Sequence, residues 1–327
     1  MMEIDQTALR AQLQDRKQKL QVAIKTVDQT ENLTTLLREV DIALEKIAKG
    51  TFGLCETCHD SIERDRLLAD PLVRNCLDHL TAAERRLLER DLDLAYQVQR
   101  NLLPKSGVKI DGWETAFHYE PAGSVSGDYC DLIIPDGGGN AFYFFLGDVS
   151  GKGIAASILM AHLHAMFRSL LKLSQPVGEL LEQANRLFSE DTMLRYFATL
   201  VAGNADASGA VEIANAGHCV PLLVQKGGIA TISTTGLPLG LFHTVEYRSQ
   251  RFTLSAGETL VLYSDGVTEA RDGSDNFYGE KRLTGVVWKN RERPPHELIH
   301  ACVDDINGFR SSAPKADDVT LMVLRRT

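Results

Sequence analysis

Apolar residues recur at helical spacing over residues 5–25 and 32–49, where Leu33, Leu36, Leu37, Val40, Leu44 and Ile47 share one face. The spacing predicts two helices, paired as a short antiparallel hairpin or coiled coil. Arg38, Glu39, Asp41, Glu45 and Lys46 form the solvated face, and Gly50 ends the second helix. A third helix of about six turns is predicted over 82–103, with Leu87, Leu88, Leu92, Leu94, Ala95, Val98 and Leu102 as its stripe and Pro104 as its stop. Such a stripe packs on the chain's own core by default, or else seams two copies into a homodimer.

Beyond residue 104 the pattern changes. Val-, Ile-, Phe- and Tyr-rich runs at 113–119, 130–135, 141–146, 198–204, 211–214, 221–225, 259–263 and 320–324 predict strands. They surround two predicted helices, 154–173 and 177–194. Many strands about two successive helices imply an α+β layered body rather than an alternating parallel sheet. Gly137-Gly138-Gly139 reads as a hairpin turn, since no helix start with Lys follows it in phosphate-loop register.

The candidate chemistry sits at strand ends. The apolar run 141–146 stops abruptly in Gly147-Asp148-Val149-Ser150-Gly151-Lys152-Gly153, which sets one carboxylate over an open backbone. Asp128, Asp265 and Asp317 stand in similar strand-end or turn settings, in Ser126-Gly127-Asp128-Tyr129, Ser264-Asp265-Gly266 and Asp317-Asp318-Val319-Thr320. An all-carboxylate set favours Mg2+ or Mn2+ over zinc. Strand alternation sends Asp317 and Asp318 opposite ways, so either is the candidate ligand. Asp131 is expected to be structural, Lys152 exposed, and Asn215-Ala216-Gly217-His218 a hairpin turn with a polar rim. In the N-terminal part, Cys55-Glu56-Thr57-Cys58 and Cys76-Leu77-Asp78-His79 pair a CxxC with a CxxH at zinc-site separation, with His59 as a rival to His79. Four protein ligands would make that site structural.

Composition narrows the classes. With 44% apolar and 24% charged residues, the 327-residue chain is an ordinary globular one, long enough for a large domain and a small module. A net charge of −9, with 15 Lys/Arg against 18 Asp/Glu in residues 1–103, argues against nucleic acid as a partner. No apolar run reaches the roughly 20 residues of a membrane span, and the polar N-terminus has no signal-peptide core. Six cysteines, three of them clustered, fit a reducing, cytoplasmic setting.

Phe52-Gly53-Leu54-Cys55-Glu56-Thr57-Cys58, with Ile62, Arg66-Leu67, Ala69, Pro71 and Cys76, resembles the DksA/TraR-type zinc finger, with His79 where that family commonly has Cys. From about residue 94 to 324 the chain resembles the PPM family of metal-dependent Ser/Thr phosphatases, protein phosphatase 2C-like, in its SpoIIE-type branch. The resemblance rests on Val98-Gln99, Leu102-Leu103-Pro104, Ser126-Gly127-Asp128-Tyr129, the 147–153 motif, Phe197-Ala198-Thr199-Leu200, Asn215-Ala216-Gly217-His218, Leu237-Pro238-Leu239-Gly240, Ser264-Asp265-Gly266-Val267-Thr268-Glu269-Ala270 and Asp317-Asp318-Val319-Thr320. It implies a layered β-sandwich flanked by helices, with Asp148 bridging two Mn2+ or Mg2+ ions and the Val149 carbonyl completing one of them. Asp265 and Asp317 would hold the other, and Asp128 would serve the first directly or through water. Cys130 replaces an aromatic common in the branch, and no Arg precedes Asp128 to grip phosphate. The implied substrate is a phosphorylated, STAS-type anti-sigma-factor antagonist in a partner-switching pathway. The expected organisation is a helical segment at 1–49, the finger at 50–81, a linker helix at 82–104 and the phosphatase domain at 105–327. The alternative is a non-catalytic scaffold that docks on RNA polymerase through the finger.

Overall fold

The computed structural model describes residues 6–25, 31–63, 66–67, 70–80, 82–105, 109–135, 141–171, 176–191 and 196–327. The chain divides into two compact units, Met1–Asp91 and Leu92–Thr327.

In the first unit, α1 (Gln6–Ile24) packs beside α2 (Glu31–Ala48). Leu9, Leu13 and Leu20 meet Val40 and Ala43, with Leu33, Leu36, Leu37, Leu44 and Ile47 around them, so the predicted stripe is the buried one. A second, four-residue cluster of Cys55, Ile62, Leu67 and Cys76 forms the finger's interior. Helix α3 (Ala82–Leu102) begins in this unit and ends in the next. Among the described residues no helix is long and apolar enough to cross a membrane.

The second unit holds two antiparallel sheets. The first contains β1 (Lys109–Ile110), β2 (Trp113–Glu120), β7 (Leu222–Gln225), β8 (Gly228–Thr231), β10 (Thr259–Tyr263) and β11 (Val319–Arg326), in the order β1-β2-β11-β10-β7-β8. The second contains β3 (Asp128–Ile133), β4 (Ala141–Val149), β5 (Ala198–Asp206), β6 (Ala210–Ala216) and β9 (Gln250–Thr253), in sequence order. Side-chain alternation sorts each central strand between two cores. Phe142, Phe144 and Leu146 of β4 meet Leu260, Leu262, Met322 and Leu324 between the sheets. Tyr143 and Phe145 instead face the helices α4 (Ile154–Leu170) and α5 (Val177–Asp191), among Met160, Leu163, Phe167 and Leu181. On the other side, Val261, Tyr263, Leu321 and Val323 cover Leu283, Leu298, Ile299, Cys302 and Ile306 of α7 (Glu280–Lys289) and α8 (Pro295–Arg310). Strands buried on both faces explain why their sequences read as unbroken apolar runs.

The layered α+β sandwich is thus as expected, with two helices more than the sequence reading assigned. A short α6 (Asp265–Thr268) also follows β10. Pro295 occupies the first turn of α8, where a missing N–H costs nothing. The expected Gly137-Gly138-Gly139 turn lies outside the described residues.

Candidate active site and metal centre

Pairing brings the acidic motifs to one end of the sandwich. Asp128 opens β3 directly across from Asp148 near the end of β4, and Asp148 faces Thr199 on β5. In the other sheet Tyr263 pairs with Leu321, which sets Asp265, just past β10, beside Asp317 and Asp318, just before β11. Gly266 fits only because it lacks a side chain, since a Cβ there would strike the Asp318 carbonyl.

The carboxylates feel one another. Burial, then the charges of Asp265, Asp317 and Asp318, pushes Asp148 up to about 7, against the pull of Lys152. Burial and Asp148 raise Asp128 well above the carboxylate range, although the Thr320 hydroxyl donates to its Oδ2. Burial, then Asp317 and Glu269, raises Asp265 as well.

Asp317 and Asp318 do different work. Asp318 accepts the amide N–H groups of Ala122 (2.7 Å) and Gly127 (3.0 Å), and so binds the β2–β3 loop. Asp317 stays half-open and takes the Lys152 ammonium at 2.8 Å. Lys152 is exposed, as expected, but anchored, donating also to the Ala316 carbonyl at 2.7 Å. A Cβ on Gly127 would lie 3.0 Å from the Val149 carbonyl oxygen and 3.1 Å from Asp148 Oδ1, so these two oxygens converge on one point. Beside Asp317 and Lys152 opens a cavity of about 310 Å³ lined also by Leu92, Val125, Ile154 and Asp318.

Asp131 is structural in its contacts. Fully buried, it receives Arg168 through Nη2 (2.8 Å) and Nε (3.1 Å) and lies 3.3 Å from His164 Nδ1. Cys130 is buried beside it. The hairpin expected at Asn215–His218 is not formed: Asn215 and Ala216 end β6, the chain then crosses to the other sheet, and Asn215 and His218 are both buried rather than at a rim. Their flanks explain this, because the segment joins two sheet strands and is followed by the apolar run from Val220 to Val224. Gln99 carried no assigned role in the sequence. Buried on α3, its amide donates to the Ser126 carbonyl (2.7 Å) and accepts the Ser126 N–H (3.0 Å), fixing the turn that presents Asp128. A polar residue in an otherwise apolar helix-end stripe was the available signal.

In the first unit, Cys55, Cys58, Cys76 and His79 bring their ligand atoms within 4.8 Å of one another. Cys58 Sγ and Cys76 Sγ are 3.8 Å apart, and Cys76 Sγ is 3.2 Å from His79 Nδ1. Sulfurs at about 2.3 Å from a tetrahedral zinc would be separated by about 3.8 Å. His79, presented by the 3-10 turn Leu77–His79, joins the cluster, whereas His59 holds the left-handed turn between the knuckle's sides at φ 62°.

Two face-to-face antiparallel sheets, helices outside both, and carboxylates gathered at one end define a protein phosphatase 2C-like domain. The SiaA-PP2C domain of Pseudomonas aeruginosa is a solved example of this fold: it superposes with a TM-score of 0.66 at 18% identity, over 76% of this chain and 99% of that one. Residues 138–327 match the family model of stage II sporulation protein E (SpoIIE), and the chain belongs to that family. Among curated relatives, protein IcfG of Synechocystis is 26% identical over 72% of this chain and 41% of its own length. Phosphoserine phosphatase RsbU of Bacillus subtilis is 25% identical over 73% of this chain and 71% of its own.

Proposed function

We propose that this chain is a divalent-metal-dependent protein phosphatase acting on phosphoserine or phosphothreonine of a regulatory protein. The observation that carries this reading is the convergence of Asp128, Asp148, Asp265 and Asp317 from the ends of two sheets, with three of them pushed toward protonation. Carboxylates held together against their mutual repulsion fit a pair of hard cations, which relieve it. In this reading Asp148 would be shared by two Mg2+ or Mn2+ ions, with the Val149 carbonyl serving one and Asp265 and Asp317 the other. Asp128 serves the first directly or through water. Bound there, such ions would supply an activated water and neutralise charge on the phosphoryl group.

The protein's own groups do the rest. Thr320 and Gln99 fix the approach of Asp128, and Asp318 ties the neighbouring loop. Lys152, at the cavity rim, is the cation placed to meet a phosphate oxygen. Water attack leaves a free Ser or Thr hydroxyl and inorganic phosphate, with no covalent phosphoenzyme.

The named activity of RsbU supports a phosphoserine substrate. We assign that substrate to the STAS-type anti-sigma-factor antagonists of partner switching, and the chain to the cytoplasm. Cys55, Cys58, Cys76 and His79 would hold one structural zinc, and the finger module would regulate the phosphatase through α3, whose exposed Leu94 and Val98 are available to a second copy. The test is hydrolysis of p-nitrophenyl phosphate with Mn2+. Asp148→Asn should lower it at least about 100-fold, the scale of a group that acts only in the transition state. Chelator-sensitive activity that survives this substitution would place the site elsewhere.

A further inference from the structure

His218 ends the turn between β6 and β7 and stands between the sheets at the end that carries the aspartates. Its Nδ1 lies 2.8 Å from Thr199 Oγ1. Thr199 is the cross-strand partner of Asp148, and its hydroxyl is 3.4 Å from the Asp148 carbonyl oxygen. The next turn of the chain enters the other sheet, because β6 and β7 lie in different sheets and His218 stands between them.

Its own backbone is clamped. Asn215 Oδ1 accepts the His218 N–H at 2.7 Å, and Asn215 Nδ2 donates to the His218 carbonyl at 3.1 Å. Gly217 takes the left-handed conformation at φ +70°, with Pro238 where a side chain would go. Burial keeps the ring pKa near 4, so it is neutral at pH 7, and Nε2 is buried without a hydrogen bond. If filling space were all that mattered, an aliphatic side chain would do it without an unpaired buried nitrogen.

We propose that His218 is a positioning residue that fixes, through Thr199, the placement of the Asp148 strand end, and with it the affinity for the cations held there. This rests on the divalent-metal reading above. Groups that orient metal ligands without touching the metal typically change affinity roughly 10- to 100-fold when removed.

The experiment is Mn2+ binding to the full chain, followed by titration calorimetry and by the loss of the free-ion electron paramagnetic resonance signal. His218→Leu should raise the Mn2+ Kd about 10-fold or more, while kcat at saturating Mn2+ falls far less. His218→Gln, which keeps a hydrogen-bonding group toward Thr199, should recover most of the affinity. A His218→Leu chain that is folded and binds Mn2+ like the parent overturns the proposal, as does a Gln variant no better than Leu. Should the Leu variant fail to fold, Thr199→Val removes the same link from its other end; a raised Kd supports the brace and an unchanged one overturns it. A parent chain that binds Mn2+ yet hydrolyses no phosphate ester sinks the phosphatase reading alone, because the Kd comparison still judges His218. A parent that binds no Mn2+ sinks both.

Discussion

Asp148 shows what one side chain contributes and what it costs. Its folded-state pKa of about 7 lies above the roughly 3.9 of an unfolded aspartate, so between those values the native chain holds the extra proton. The contribution of this group is therefore most favourable at low pH and is lost progressively as pH rises from about 4 through about 7, by on the order of 4 kcal/mol in all and about 3 kcal/mol between pH 5 and pH 8. In chelator, urea unfolding at pH 5 and pH 8 should show that loss. Asp148→Asn should reduce the slope, the remainder belonging to Asp128 and Asp265, which are raised as well, and Mn2+ should oppose it by binding only the folded state. An unchanged slope in the variant would mean another group is responsible. Gly127 is the steric counterpart. An alanine there presses on Val149 O and Asp148 Oδ1 at 3.0 and 3.1 Å, so Gly127→Ala should weaken Mn2+ binding in the same calorimetric assay. Residue identity made Asp128, Asp148 and Asp265 legible in the sequence, because Asp next to Gly at the end of an apolar run is a local signal. The choices between Asp317 and Asp318, and between His79 and His59, were not local. They turn on which amides and thiols the folded chain brings near: Asp318 is taken up by two amides, and His79 lies beside the thiols.

Elements were legible where their burial is lopsided or complete. The doubly buried β4, β10 and β11 stood out, as did α4 and α5, whereas β8 and β9 at the sheet edges are half exposed and carry no apolar run. Helix α8 was hidden because its stripe of Leu298, Ile299, Cys302 and Ile306 is interrupted by charged and small residues. The hold between elements can be tested at Asp131, which ties α4 to β3 through Arg168 and His164. Arg168 is 45% exposed and can return to water when its partner goes, so the loss stays near that of a charged hydrogen-bond network rather than of a stranded charge. Asp131→Ala should cost about 2 kcal/mol in urea unfolding and leave the Mn2+ dependence of hydrolysis as it was. A large shift in that dependence would move Asp131 from scaffold to site.

At the scale of the whole chain, the sandwich solves a problem that no segment solves alone. Hard-cation chemistry needs several carboxylates in one place, and a local cluster of them would repel and open to water. Here each is carried on the end of a strand whose apolar body is locked in one of three cores, so the packing of distant segments holds the charges together. Among the described residues the cluster around the N-terminal thiols has only four buried members, and a segment that small would draw its folding energy from a bound ion. The two units should therefore fail differently. Cys55→Ser should lower bound zinc from one per chain toward none in a metal assay and remove hydrogen-exchange protection across residues 52–79, while exchange in β4, β5, β10 and β11 stays slow. If p-nitrophenyl phosphate turnover then changes with the phosphatase strands still protected, the finger acts on the site through the chain between them. If turnover is unchanged, the finger is a separate binding module, and the regulatory role assigned to it is wrong even though its zinc chemistry is right.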